Sequence, residues 1–135
     1  MPTLPTQACP VTAIPAASPK DAQAHFEVLL TFETDCWDVH AELANRERAF
    51  VVLDVRSPES FAAGHLPEAI SLPYGRINER NLAQYPAETL FVVYCSGPHC
   101  NGADRAAVRL ARLGRPVKKM IGGIQGWKDE GYELV

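Results

Sequence analysis

The chain has 135 residues, 47% of them hydrophobic, which suits one globular domain with a real core and leaves no room for a second. Its 13 basic and 16 acidic side chains give a formal charge of −3, so nothing favours nucleic acid or an anionic membrane surface, both of which call for a basic excess. No apolar run approaches the roughly 20 residues of a membrane span, and Met1-Pro2-Thr3-Leu4 lacks the basic segment and apolar core of a signal peptide, so the expected location is cytoplasmic.

Residues 1–19 carry prolines at 2, 5, 10, 15 and 19 among Thr, Ala and Ser, a composition that predicts an extended arm. The arm is taken as residues 1–23, ahead of a folded domain over 24–135. Phe26, Val28, Leu30 and Phe32 alternate with Glu27, Leu29 and Thr31, predicting a strand over 27–33. Asp35 caps an expected helix over 36–46 that turns Val39, Leu43, Trp37 and His40 toward a core, with Cys36 and His40 as packing residues. Phe50 to Val55 is an apolar run of strand length, the kind found where both faces of a parallel sheet are covered. Ser57-Pro58-Glu59 reads as N-cap, first-turn proline and first-turn acid of a short helix that stops at Gly64.

Ala69 to Leu72 is expected as a third strand, 77–84 as a helix ending before Pro86, and Leu90 to Tyr94 as the next strand. Asn101 to Leu113 places Ala106, Leu110 and Leu113 on one face and Arg105, Arg109 and Arg112 on another, with Gly114 just past its end. Val117 to Ile121 reads as a last strand, and Gly122-Gly123-Ile124-Gln125-Gly126-Trp127 opens a final helix ending near Gly131. Strands alternating with helices predict an α/β fold around a mainly parallel sheet, whose ligands sit beyond the carboxyl ends of its strands.

Cys95 stands at one such end, directly after Tyr94 and before Ser96-Gly97-Pro98-His99-Cys100-Asn101-Gly102. A loop of small residues and a following helix N-terminus supply backbone N–H groups and partial positive charge, conditions that favour a thiolate and anionic substrates. The bland alternative is a buried apolar cysteine ending a strand. The cysteines at 9, 36, 95 and 100 are read as reduced, with Cys9 incidental. Cys95, His99 and Cys100 lack the second ligand pair that a structural zinc site needs, so no metal or cofactor is called for.

Four segments in order, Leu53-Asp54-Val55-Arg56, Phe61 to Ala69 with Gly64-His65-Leu66-Pro67, Val92-Val93-Tyr94-Cys95, and Gly122-Gly123-Ile124-Gln125-Gly126-Trp127, closely resemble a single-domain rhodanese over roughly residues 27–133. The resemblance implies a three-layer α/β/α domain on a five-stranded, mainly parallel sheet. It also implies a sulfurtransferase in which Cys95 takes sulfane sulfur from a donor such as thiosulfate, holds it as a persulfide, and yields it to a thiol or cyanide. A sulfur-carrier or desulfurase protein is a further partner of this kind. Loop amides from Ser96 to Gly102 would hold the anion, with Gly97 and Gly102 allowing positive φ or close approach.

The sequence departs from that pattern in three places. Ala106 and Ala107 lie eleven and twelve residues after Cys95, two later than the family's paired alanines, which implies a lengthened active-site loop. Cys100 and Asn101 stand where basic residues are common, so anion recognition falls to amides, His99 or a more distant arginine, and Arg105 is expected to face solvent. Glu68 replaces a turn glycine.

His65 is expected to bond backbone within its turn rather than act as a base, and Asp54 with Arg56 to form a buried pair steadying strand and loop. Cys100 either packs under the loop, the favoured expectation, or attacks a Cys95 persulfide by thiol exchange. The competing enzyme is a cysteine phosphatase or arsenate reductase on the same architecture. It wants a phosphate-clamping arginine where Asn101 stands. The competing non-enzyme is a binding module, which typically loses the cysteine that this chain keeps.

Overall fold

The computed structural model describes residues 9–135, and the first eight residues of the expected arm lie outside the described residues. The chain divides into two compact units between Leu30 and Thr31.

Within the N-terminal unit the expected extended arm contains a helical turn, α1 (Pro10–Ala13), where Thr12 donates through both its amide and its hydroxyl to the Cys9 carbonyl. Residues 27–32 of the expected strand are instead the end of α2 (Pro19–Phe32), none of whose residues is buried, and only Glu33 is strand. The deciding signal is Ser18-Pro19-Lys20-Asp21: the Ser18 hydroxyl accepts from the Asp21 amide at 3.1 Å, an N-cap with proline in the first turn. That signal is of the same kind as Ser57-Pro58-Glu59. A run of alternating apolar residues fits either period over so few positions, and here the cap settles which one forms.

Thr31–Val135 carries the sheet. Its strands are β1 (Glu33–Thr34), β2 (Phe50–Asp54), β3 (Ile70–Ser71), β4 (Leu90–Tyr94) and β5 (Val117–Met120), in the order β1-β5-β4-β2-β3. Every pairing is parallel. The two central strands, β2 and β4, pair over their full length from Phe50 against Leu90 to Asp54 against Tyr94. Both are rich in valine and aromatic residues, which suit a pleated surface covered on both faces.

Alternation along these strands builds two cores. Leu53, Val55, Phe91, Val93 and Cys95 face one way, with Ile77, with Leu82 of α5 (Glu79–Leu82), and with Ala103, Ala106 and Leu110 of α6 (Gly102–Arg112). Val52, Val92 and Tyr94 face the other way, with Cys36 and Val39 of α3 (Cys36–Leu43) and with Ile124 and Trp127 of α7 (Gly123–Asp129). The result is the expected three-layer α/β/α arrangement, with the sheet wholly parallel.

Local signals account for most helix ends. Asp35 caps α3 by accepting from the Asp38 amide at 2.8 Å, and Ser57 caps α4 (Pro58–Ala63) through the Ser60 amide. Gly114, at φ 76, follows α6 in the left-handed conformation that glycine takes without strain. Some details depart from expectation. Trp37 is 65% exposed, His40 is exposed with its ring stacked on Tyr132, and α3 ends at Leu43, short of residue 46. The helix expected over 77–84 shortens to α5, because Asn78 caps it through the Asn81 amide and a 3-10 turn, Tyr74–Arg76, precedes it.

Candidate active site

Strand β4 ends by sending Tyr94 into one core and Cys95 into the other. The chain then loops from Ser96 to Asn101 and enters α6 at Gly102. Cys95 is 8% exposed, its sulfur sitting where β4 gives way to the helix, at the carboxyl edge of the parallel sheet.

The loop folds back on that sulfur. Cys100 donates its amide to the Gly97 carbonyl at 3.1 Å, closing a turn that carries its side chain over Cys95. The two Sγ atoms stand 2.8 Å apart, and both are free thiols. Cys100 therefore turns its side chain inward, onto the Cys95 sulfur. Gly102 makes the room, since a Cβ there would lie 2.8 Å from the Cys95 sulfur and 3.4 Å from that of Cys100. Neither Gly97 nor Gly102 has a positive φ, so close approach, not backbone handedness, requires glycine at 102.

Donors gather on Cys100 more than sequence reasoning anticipated. Burial, then the Cys100 contact, push the Cys95 thiol up, against a smaller lowering by the Ser96 amide. Cys100 is lowered, first by the hydrogen bond from Cys95 and next by the Gly102 amide, whose nitrogen is 3.4 Å from its sulfur. The expected thiolate thus belongs to a pair that shares a proton across one short contact, and the first proton leaves such a pair more readily than the second. Cys36 differs: burial first, then Asp35 and other acids, push it up to about 11, and its sulfur rests near the Ile121 carbonyl at 3.5 Å as a packing group.

Sequence reasoning noted Gly122-Gly123 without seeing its task. Both glycines are left-handed, with φ 89 and 59, and a Cβ on Gly123 would overlap the Cys95 carbonyl oxygen and lie 2.9 Å from the Gly97 nitrogen. This closeness lets the Ile124 amide donate to the Cys95 carbonyl at 3.0 Å and the Gln125 amide to the Ser96 carbonyl at 2.9 Å. The start of α7 therefore fixes the first two residues of the loop. Trp127, fully buried, anchors α7 and donates its indole N–H to the Glu133 carbonyl.

A pocket of about 210 Å³ opens beside the pair, lined by Cys95, Gly97, Pro98, Cys100, Lys119 and Gly123 among others. Ser96, His99 and Asn101 are exposed and do not line it, and Arg105 is exposed and bonds Asn101. The cation that does reach the pocket is Lys119 of β5, which the sequence reading passed over because its strand looked purely structural. It pairs with Asp104 at 2.9 Å and Glu33 at 3.3 Å, and those carboxylates raise its pKa. Among the described residues no group of three or more His, Cys, Asp or Glu side chains is gathered as a metal would need.

Beneath the site, Asp54 is fully buried and accepts from the Arg56 guanidinium at 2.7 Å and from the Tyr94 hydroxyl at 2.6 Å. Arg56 donates onward to the Gly64 carbonyl, and Tyr94 accepts from the Leu66 amide, so one network ties β2, β4 and the 64–66 turn. Burial, then Asp54, raise the Tyr94 phenol well above its ordinary range. His65 stacks on Phe61 and places Nδ1 2.8 Å from the Phe61 carbonyl, and its backbone pairs with Val135. It lines no part of the Cys95 pocket. Glu68 holds φ 67, the one non-glycine with a positive φ among the described residues, so the position that departs from glycine keeps a glycine-like backbone.

Known proteins resemble this chain in sequence and in fold. A sulfurtransferase of Allochromatium vinosum is 30% identical over 103 residues, covering 76% of this chain and 94% of that one. The thiosulfate sulfurtransferase GlpE of Pseudomonas entomophila is 36% identical over 90 residues, covering 64% of this chain and 78% of that one. An HTH-type transcriptional regulator, Rv0324 of Mycobacterium tuberculosis, is 39% identical over 97 residues, but the chain spans only 42% of its length. Among solved structures, the BH2092 protein of Bacillus halodurans superposes with a TM-score of 0.84 at 38% identity, covering 87% of this chain and 86% of that one. The family model of the rhodanese-like domain matches residues 38–130, from within α3 to just beyond α7, and with the all-parallel sheet and the cysteine at its carboxyl edge it places the chain in the rhodanese-like domain family.

Proposed function

We propose that the chain is a sulfurtransferase that moves sulfane sulfur from a small donor such as thiosulfate to a thiol or cyanide through a persulfide on Cys95. The observation that carries this reading is the Cys95 sulfur at the carboxyl end of β4, facing a pocket large enough for a small anion. The relatives named sulfurtransferase and thiosulfate sulfurtransferase support it.

The Cys95 thiolate attacks the outer sulfur of thiosulfate, the S–S bond breaks, and sulfite leaves with the bonding pair. An acceptor thiolate or cyanide then takes the terminal sulfur and returns the thiolate. The Ser96 amide is the backbone donor that lowers the Cys95 pKa, and the lowering falls short of the effect of burial. Loss of a proton from the Cys95–Cys100 pair is therefore the step that readies the nucleophile. Lys119 supplies positive charge at the pocket, tempered by Asp104. A sulfur-carrier or desulfurase protein is the macromolecular partner this chemistry would suit.

The test is thiocyanate formation from thiosulfate and cyanide. Cys95→Ser should abolish it while leaving the circular dichroism spectrum intact, because serine lacks a thiolate near neutral pH. Full activity in that variant would falsify the assignment. A panel of donors with trapping of the persulfide then ranks thiosulfate against low-molecular-weight persulfides.

A further inference from the structure

We propose that Cys100 is the resolving thiol of this site, so that the chain reduces bound sulfane sulfur to hydrosulfide and ends as a Cys95–Cys100 disulfide. The proposal rests on the Cys95 persulfide reading and adds a fate for the sulfur that no acceptor is needed to supply. It is carried by the 2.8 Å separation of the two Sγ atoms, closer than the roughly 3.5–4.0 Å of an ordinary nonbonded carbon contact. Three features hold them there: the Gly97–Cys100 turn, the missing Cβ at Gly102, and the clamp of α7 amides on the Cys95 and Ser96 carbonyls.

The chemistry balances. In the persulfide Cys95–Sγ–SH, the inner sulfur is the atom that Cys100 already touches. The Cys100 thiolate attacks that inner sulfur, a new Sγ–Sγ bond forms, and the bond to the outer sulfur breaks, with the electron pair leaving on HS⁻. The outer sulfur is reduced by two electrons and the two cysteine thiols are oxidised to the disulfide. An external thiol or protein dithiol must then reduce the disulfide, becoming a disulfide itself.

Side-chain chemistry agrees with this order. Cys100 is the more exposed of the two and receives the Gly102 amide at 3.4 Å, a donor that does not depend on the Cys95 thiol, so it can carry negative charge once Cys95 is occupied by sulfur. Attack on the outer sulfur, which would merely pass the persulfide to Cys100, requires that sulfur to lie between two atoms already in contact. The pocket beside Gly97 and Lys119 offers it space elsewhere.

The full chain, reduced and freed of thiol, is treated with one equivalent of thiosulfate, and sulfite, hydrosulfide and the mass of the peptide spanning both cysteines are followed. A parallel arm loads the chain with inorganic polysulfide, which persulfidates accessible thiolates without enzymatic help. The wild type should release about one hydrosulfide per chain and its peptide become about 2 Da lighter, whereas Cys100→Ser and Cys100→Ala should retain about 32 Da on Cys95. Sulfite released while the wild type keeps the added sulfur on Cys95, or the added mass found on Cys100, would overturn the proposal and leave the sulfurtransferase reading standing. If thiosulfate yields no sulfite, that reading falls, and the polysulfide arm decides alone: a Cys100-dependent disulfide sustains the resolving role and a stable persulfide refutes it.

Discussion

Tyr94→Phe should destabilise the protein by about 3 kcal/mol while leaving its packing volume unchanged. The phenol is fully buried, donates to Asp54 Oδ2 at 2.6 Å and accepts from the Leu66 amide at 3.2 Å. A hydrogen bond to a charged group contributes about 1.5–3 kcal/mol, and an orphaned buried amide costs about 1–3 kcal/mol. The sum is held toward the lower half because Arg56 still reaches both Asp54 oxygens. Urea unfolding measures the loss as a lower midpoint at unchanged slope. The network is coupled, so in an Asp54→Ala background the same substitution should cost at least about 1 kcal/mol less. A native alkaline titration gives a second readout: the raised Tyr94 phenol stays protonated while exposed tyrosines ionise, so removing it leaves the native amplitude unchanged. A loss under about 1 kcal/mol, or strictly additive costs in the double variant, would show that the hydroxyl does not tie β4 to Asp54 and the 64–66 turn.

Two further substitutions probe the backbone around the site. Gly123→Ala forces a side chain into a left-handed position against the Cys95 carbonyl, and should cost at least about 2 kcal/mol together with most of the sulfur-transfer rate. Gly75→Ala, where a Cβ meets nothing within 4 Å, is the control expected to leave both unchanged, and equal effects from the two would remove the clamp from the account. Glu68→Gly should raise stability by about 0.5 kcal/mol, as relief of a φ of 67 outweighs glycine's added chain entropy and the loss of a long 3.8 Å pair between the exposed Glu68 and the half-buried Arg48. A measured loss of stability would mean that the pair, not the backbone, governs the turn.

Much of this molecule is legible in its sequence because the informative signals are local. Valine-rich runs at 50–55 and 90–94 announce doubly covered strands, and Asp35 and Ser57 mark helix starts through bonds to amides three residues on. Cys95 is placed by its neighbours alone: a strand before it and a loop and helix after it. The same local logic misled where two periods compete over few residues, as in 26–32, until the Ser18 cap is given its weight. What only the tertiary structure decided lies between segments distant in sequence. Lys119 reaches the pocket because β5 pairs beside β4, and the α7 amides meet the Cys95 and Ser96 carbonyls because two glycines let backbone approach backbone. The Cys95–Cys100 contact lies between these cases, only five residues apart yet unreadable from spacing. A turn at Gly97, a missing Cβ at Gly102 and the clamp from α7 jointly choose which way the second sulfur points, and only the assembled sheet brings all three to bear on one loop.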